Sequence, residues 1–292
     1  MARALRIEYP GAYYHITSRG NERKNIYRNN KDRDKFLSYL KSAYLRYGAV
    51  IHAFCLMNNH YHILLQTPKG NLSEIMLHIN GAYSNYFNIR HKRRGHLFQG
   101  RYKAILVEAD SYAGELSRYI HLNPVRAAMV GLPEKFKWSS YQYYMVKRKK
   151  PEWLTVDFIL SYFGSSNVQA RKNYRGFVNA RINSKYDSPL EETVASMMLG
   201  SDNFIELIKD KYIDHKKRDK NVPALKELRI SPDIAETYEE VKAQCENDTS
   251  LSKKITIYLF HQYSDKRLKE IGAYFGIGDS AVSEANRQFG LI

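Results

Sequence analysis

Residues 49–67 read Ala-Val-Ile-His-Ala-Phe-Cys-Leu-Met-Asn-Asn-His-Tyr-His-Ile-Leu-Leu-Gln-Thr. Ala49 to Met57 and His60 to Thr67 are rich in β-branched, aromatic and aliphatic residues, and Asn58-Asn59 between them is turn chemistry. The stretch predicts a β-hairpin. Ile63-Leu64-Leu65 makes its second strand core-forming, so the histidines that begin it must point at something specific.

Helical periodicity flanks the hairpin on both sides. From Lys31 to Tyr47 the apolar residues Phe36, Leu37, Leu40, Ala43, Tyr44 and Tyr47 recur at three-and-four spacing, with Asn30 as a cap and Gly48 as the stop. From Ser73 to His91 the same spacing holds Ile75, Met76, Ile79, Ala82, Tyr83, Tyr86 and Phe87 on one face. Further out, Ala12 to Arg19 reads as a strand running into Gly20-Asn21, and Leu97 to Glu108 as another. A third helix starts at Asp110, and Pro124 limits it at about Asn123. The order strand, helix, strand, strand, helix, strand, helix predicts an α+β class. Specifically it is a ferredoxin-like antiparallel sheet with helices on one face.

This catalytic-sized domain covers residues 1–150, and the run Lys147-Arg148-Lys149-Lys150 before Pro151 marks its exit as a solvated linker. Residues 151–247 predict an all-helical connector without chemistry. Residues 248–292 predict three helices, the last two joined by a short glycine-containing turn in the helix-turn-helix plan, with Ile271, Phe275, Ile277, Val282 and Ala285 as core. The last helix exposes Ser280, Ser283 and Arg287, residue types that read base edges, although many three-helix bundles never touch DNA.

Charge divides the chain the same way. The formal net charge is +16, yet residues 1–150 hold 26 basic and 9 acidic residues, net +17, while the remainder is close to neutral. Such asymmetry points the first half at a polyanion, nucleic acid above all, with an anionic membrane surface as the competitor. No stretch approaches a membrane span and Met-Ala-Arg-Ala-Leu-Arg lacks a signal-peptide core, so the expectation is a cytoplasmic protein. Cys55 and Cys245 form no CxxC pair, which excludes a disulfide framework or a cysteine zinc site. Of 24 tyrosines, 16 lie in residues 1–150, a mixture with basic residues that suits phosphate neutralisation and base stacking.

Three features of the first half carry chemistry. Strand alternation puts His60 and His62 on one sheet face, close enough for one metal ion; two buried, hydrogen-bonded imidazoles are the plainer reading. Tyr119 and Asn123 are four apart on a helix, so a phenol stands beside an amide oxygen, although the tyrosine could equally pack and the asparagine close the helix. Around them Arg19, Arg93, Arg94, Arg101, Lys103 and Arg126 supply positive charge; singly, each is an ordinary solvated residue.

Taken together, Asn59-His60-Tyr61-His62 after Met57, Leu97-Phe98-Gln99-Gly100-Arg101-Tyr102-Lys103, and Arg118-Tyr119-Ile120-His121-Leu122-Asn123-Pro124-Val125-Arg126-Ala127 resemble the motifs of HUH single-tyrosine transposases. The branch matched more closely is the REP-associated tyrosine transposases, and the resemblance spans roughly residues 5–145. It implies a ferredoxin-like domain that cleaves and rejoins single-stranded DNA at hairpin-bearing sites, with Tyr119 as nucleophile, a 5′-phosphotyrosine intermediate, and His60, His62 and Asn123 as metal ligands. The ion it implies is Mg2+ or Mn2+, of which imidazoles suit manganese better. The C-terminal helices are similar to the helix-turn-helix of bacterial replication initiators, which implies a duplex DNA contact.

Other functions compete with this one. A replication or mobilisation nickase of the same superfamily is one; a DNA-binding regulator with a silent catalytic half is another. The intact set of four active-site candidates argues against the regulator. A homodimer, and action within or across its subunits, stays open at this level.

Overall fold

The computed structural model describes residues 6–146, 148–182, 188–213, 233–264 and 266–289. Lys147 of the basic run, residues 1–5, and residues 183–187 and 214–232 of the expected connector lie outside them. The chain divides into two compact units, one over Arg6–Ser201 and one from Asp202 onward.

In the first unit the expected hairpin forms, as β2 (Val50–Leu56) and β3 (His60–Thr67). On its free side β3 pairs with β1 (Ala12–Arg19), which pairs in turn with β4 (Lys103–Val107), all antiparallel. A fifth strand, β5 (Met198–Leu199), adds to β4 in parallel, so the sheet is mixed, in the order β2-β3-β1-β4-β5.

Five consecutive residues of β3, Tyr61 to Leu65, are buried. Successive side chains of a strand point to opposite faces, so burial of every one requires cover on both faces. On one face lie α1 (Asn30–Tyr47) and α2 (Leu72–Arg90): Phe36 packs on Tyr61 at 4.8 Å between ring centroids, and Tyr83 meets Phe36 at 5.1 Å. On the other lies α3 (Ala109–Arg126). The expectation of helices on one face is corrected accordingly: the class is α+β, with helices on both sides.

Two local expectations also change. Asn29, not Asn30, caps α1, in a capping box with Asp32. Helix α3 runs through Pro124 to Arg126; a proline this near the C-terminal end removes a single N–H, and the last turns close through Ala127 N–H to Asn123 O and Met129 N–H to Pro124 O.

The unit does not end at residue 150. A backbone segment at residues 138–140, and again at residues 154–155, lines the outer edge of β2, with Leu56 N–H bonded to Trp138 O, Ser140 N–H to Phe54 O and Thr155 N–H to Ile51 O. An exposed sheet edge invites pairing with other chains, and this segment closes it. Helices α4 (Tyr141–Tyr144), α5 (Asp157–Ser161) and α6 (Asn167–Asn179) follow, then β5. The start of the expected connector is therefore part of the sheet unit, and it contains a strand.

Helix α3 is anchored on its outer side by a buried polar network. His121 Nδ1 lies 2.7 Å from the Tyr174 hydroxyl of α6 and Nε2 2.7 Å from Ser140 Oγ; Ser117 Oγ lies 2.9 Å from the same tyrosine hydroxyl. Every member is satisfied, which makes such a network a specific clamp.

The described elements of the second unit are all helices: α7 (Asp202–Tyr212), α8 (Ile234–Gln244), α9 (Thr249–Tyr263), α10 (Leu268–Phe275) and α11 (Asp279–Phe289). Ile234, Ile257, Phe260, Ile271, Val282 and Ala285 form its core, with Phe275 and Ile277 at the margin. Ile234 of α8 belongs to this core, so the bundle begins before residue 248. The α10–α11 turn is tight: Gly276 is left-handed at φ 63°, and a Cβ on Gly272 would meet Ile277 O at 2.4 Å, so glycine is required there. No helix among the described residues is long and apolar enough to cross a membrane. Cys55 is buried, Cys245 is half-buried, and both are free thiols.

Burial lowers the pKa of His121 from 6.5 to about 3. Its folded value lies below its unfolded one, so the stabilisation from its neutral network is full above pH 6.5 and drains as pH falls towards 3. Each such group contributes up to about 1.4 kcal/mol per pH unit. Denaturant unfolding between about pH 7 and 5 is expected to show stability falling with acid, and His121→Gln, which can still bond Tyr174 and Ser140, is expected to flatten the slope by about one proton. An unchanged slope in that variant would remove His121 from the account.

Candidate active site

The register of β1 on β3 pairs Arg19 with His60, Thr17 with His62 and His15 with Leu64. Alternation then puts His15, Arg19, His60 and His62 on one face, the face that α3 crosses. His60 and His62 stand edge to face, 5.0 Å between centroids. His15 stacks on His62 at 5.2 Å, its Nε2 lying 3.0 Å from His62 Nδ1. From above, the half-buried Tyr119 of α3 sets its ring edge-on to both, 5.6 Å from His62 and 6.0 Å from His15.

The three imidazoles are neutral at physiological pH. Burial, with Arg19 adding repulsion, lowers His60 to about 4; burial, then Lys103, lowers His15 to about 3; burial, then the charges of His15, His60 and Arg19, pushes His62 well below the usual histidine value. His60 Nδ1–H donates to Asn59 Oδ1 at 2.7 Å, which leaves a lone pair on Nε2. His62 Nδ1 and His15 Nε2 share one hydrogen bond, and His62 Nε2 keeps a lone pair in the tautomer in which His62 is the donor. Neutral, oriented imidazoles with a hydrogen-bonded second nitrogen are what a divalent cation requires.

Asn123, one turn beyond Tyr119, donates Nδ2–H to Tyr119 O at 2.8 Å, leaving Oδ1 as an oxygen donor. Among the described residues no cluster of three or more His, Cys, Asp or Glu is arranged to hold a metal ion. The residues whose chemistry could hold one are His60 and His62, through imidazole nitrogens, with this amide oxygen as a third donor.

Positive charge is distributed in three places. Arg126 stands over the Tyr119 ring, 5.2 Å from its centroid, and Arg19 and Lys103 share the histidine face, Lys103 paired with Thr17. Arg93 and Arg94 follow α2, where Arg93 donates to His96 O, and Arg101 borders a groove beside α2. These three are not gathered around Tyr119. Ser280, Ser283 and Arg287 are exposed on α11 of the second unit, with Arg287 paired to Glu284 at 2.8 Å. His15 escaped the sequence reading. Its signal was its place on the Tyr13, His15, Thr17, Arg19 face of β1, which acquires meaning only once that strand pairs with β3.

A family model described as "Transposase IS200 like" matches residues 8–123. No curated protein matches the chain. Among solved structures, a REP-associated tyrosine transposase bound to a REP hairpin is 16% identical, with 52% of this chain and 89% of that one covered at a TM-score of 0.44. A putative transposase from Deinococcus radiodurans is 18% identical, with 41% and 94% covered at a TM-score of 0.29. The matched span holds β1 to β4 and α3 as far as Asn123, and with them His60, His62, Tyr119 and Asn123. Over residues 8–123, less than half of its length, the chain is similar to the IS200-like transposases.

Proposed function

We propose that this protein is a metal-dependent, single-tyrosine transposase that cleaves and rejoins single-stranded DNA at hairpin-bearing sites through Tyr119. The observation that carries the reading is the phenol of α3 set edge-on to His62 at 5.6 Å, over a face of neutral histidines. A phosphodiester resists attack because its own negative charge repels a nucleophile, so the site must neutralise the phosphate and hold the attacker in line.

His60, His62 and Asn123 would hold a Mg2+ or Mn2+ ion, which would supply Lewis acidity for the phosphate, and three neutral ligands would leave it nearly its full charge. The protein's own residues do the rest. Arg19, on the histidine face, and Arg126, over the phenol ring, add cationic charge for the phosphate. The His121 clamp on the outer side of α3 holds Tyr119 against the sheet. The Tyr119 oxygen forms a bond to phosphorus as the bond from phosphorus to the 3′ oxygen breaks. The proton that the phenol loses balances the one gained by the released 3′ hydroxyl. A phosphodiester has been exchanged for a phosphotyrosine, so attack by another 3′ hydroxyl rejoins DNA without ATP.

The second unit has a different role in this proposal: α11 reads duplex DNA flanking the site through Ser280, Ser283 and Arg287. Its support is the tight α10–α11 turn and the exposure of those side chains.

Incubation with labelled hairpin oligonucleotide and manganese is expected to give a denaturation-resistant protein–DNA adduct. Tyr119→Phe is expected to abolish it while DNA binding persists, because only an oxygen is removed; persistent adduct would move the nucleophile elsewhere. Calorimetric titration with manganese is expected to lose its signal in His60→Ala and His62→Ala and to weaken less in Asn123→Ala, whose single amide oxygen water can replace. Unchanged affinity in both histidine variants would return them to a packing role. Arg287→Ala is expected to weaken binding to a site with a duplex flank and to spare the minimal single strand, whereas equal loss on both substrates would assign α11 to stability.

A further inference from the structure

A groove of about 710 Å3 runs between α2 and residues 95–102, apart from the face that carries Tyr119. Its walls combine apolar and cationic groups. Leu77, 76% exposed, and Phe98 lie along it; Arg6 stacks over Tyr102, 4.0 Å from the ring centroid, and Arg101 stands exposed at its border. No lining residue is acidic, and the Glu8 carboxylate accepts from Ser73, itself a lining residue. An apolar wall beside two guanidiniums matches a ligand with a flat apolar part and a phosphate.

Gly81 lies on the groove wall. It sits in the middle of α2, where glycine costs about 1 kcal/mol relative to alanine. A Cβ there would meet nothing within 4 Å, so no packing contact demands the glycine. The wall is open at this position, one turn beyond Leu77, with room for a side chain.

The groove is also joined to the catalytic face. Asn21 N–H bonds to Leu97 O and Gln99 N–H to Arg19 O, both at 2.8 Å, and Arg19 is the register partner of His60. The wall of the groove thus continues the end of the strand that flanks the histidines.

We propose that this groove holds one unpaired nucleotide of the DNA strand that is cut, its base against Leu77 and Phe98 and its phosphate on Arg6 and Arg101. The inference rests on the single-stranded DNA reading above and is tested separately from it. The full chain, Gly81→Ala and Gly81→Trp are titrated with a fluorescent hairpin oligonucleotide whose unpaired flank carries 4-thiothymidine, with thermal melting as the check on folding. Gly81→Ala, which leaves the groove open, is expected to bind as the parent does, and Gly81→Trp, which fills it, about tenfold more weakly. Near-ultraviolet irradiation of the parent is expected to attach the flank to the tryptic peptide 95–101. Unchanged affinity in a folded Gly81→Trp, or crosslinks confined to other peptides, overturns the inference and leaves the Tyr119 site standing. A parent chain that binds no DNA overturns both.

Discussion

Burial of β3 on both faces is the constraint from which the rest follows. Tyr61, Ile63 and Leu65 pack against the α1–α2 layer, while His62 and Leu64 face α3. A buried imidazole must have a partner or lose its hydrogen bonds without return, so His62 needs a neighbour within the sheet. His15 of β1 supplies it at 3.0 Å. Covering that face also requires a helix, and the helix that covers it is the one that bears Tyr119.

Helix α3 consequently serves two masters on opposite sides. Ser117 and His121, four apart, bond Tyr174, and His121 also bonds Ser140, which itself bonds the Phe54 backbone of β2. Tyr119 faces the histidines, and Asn123, also four residues on, donates to the Tyr119 backbone carbonyl. Because the first row is buried and fully bonded, the second is held without depending on contacts of its own. The residues after 150 are part of this arrangement, since Tyr174 comes from α6.

Local patterns in the sequence revealed the hairpin, the helices and the spacing of His60, His62, Tyr119 and Asn123, because each rests on residues within a few positions of one another. What escaped them depends on pairing between distant segments. His15 joins the site only through the β1–β3 register, and β5 is a two-residue parallel strand, too short to show periodicity. The boundary at residue 150 followed a charge run, but backbone bonds along β2 hold the chain to the sheet beyond it. The second layer of helices was visible in principle, in the unalternating Ile63-Leu64-Leu65. Arginines that look alike in the sequence separate in space, Arg126 standing over Tyr119 and Arg101 bordering the groove.

The central claim is that the oxygen joined to DNA belongs to the tyrosine that α3 holds over the histidines. Mass spectrometry of the tryptic digest of the manganese-dependent adduct tests it most directly, because cleavage after Arg118 and Arg126 isolates residues 119–126 as one peptide with a single tyrosine. The account predicts an oligonucleotide remnant linked through phosphate to Tyr119 in that peptide. A remnant on the peptide that contains Tyr112, or on any other tyrosine, would contradict it.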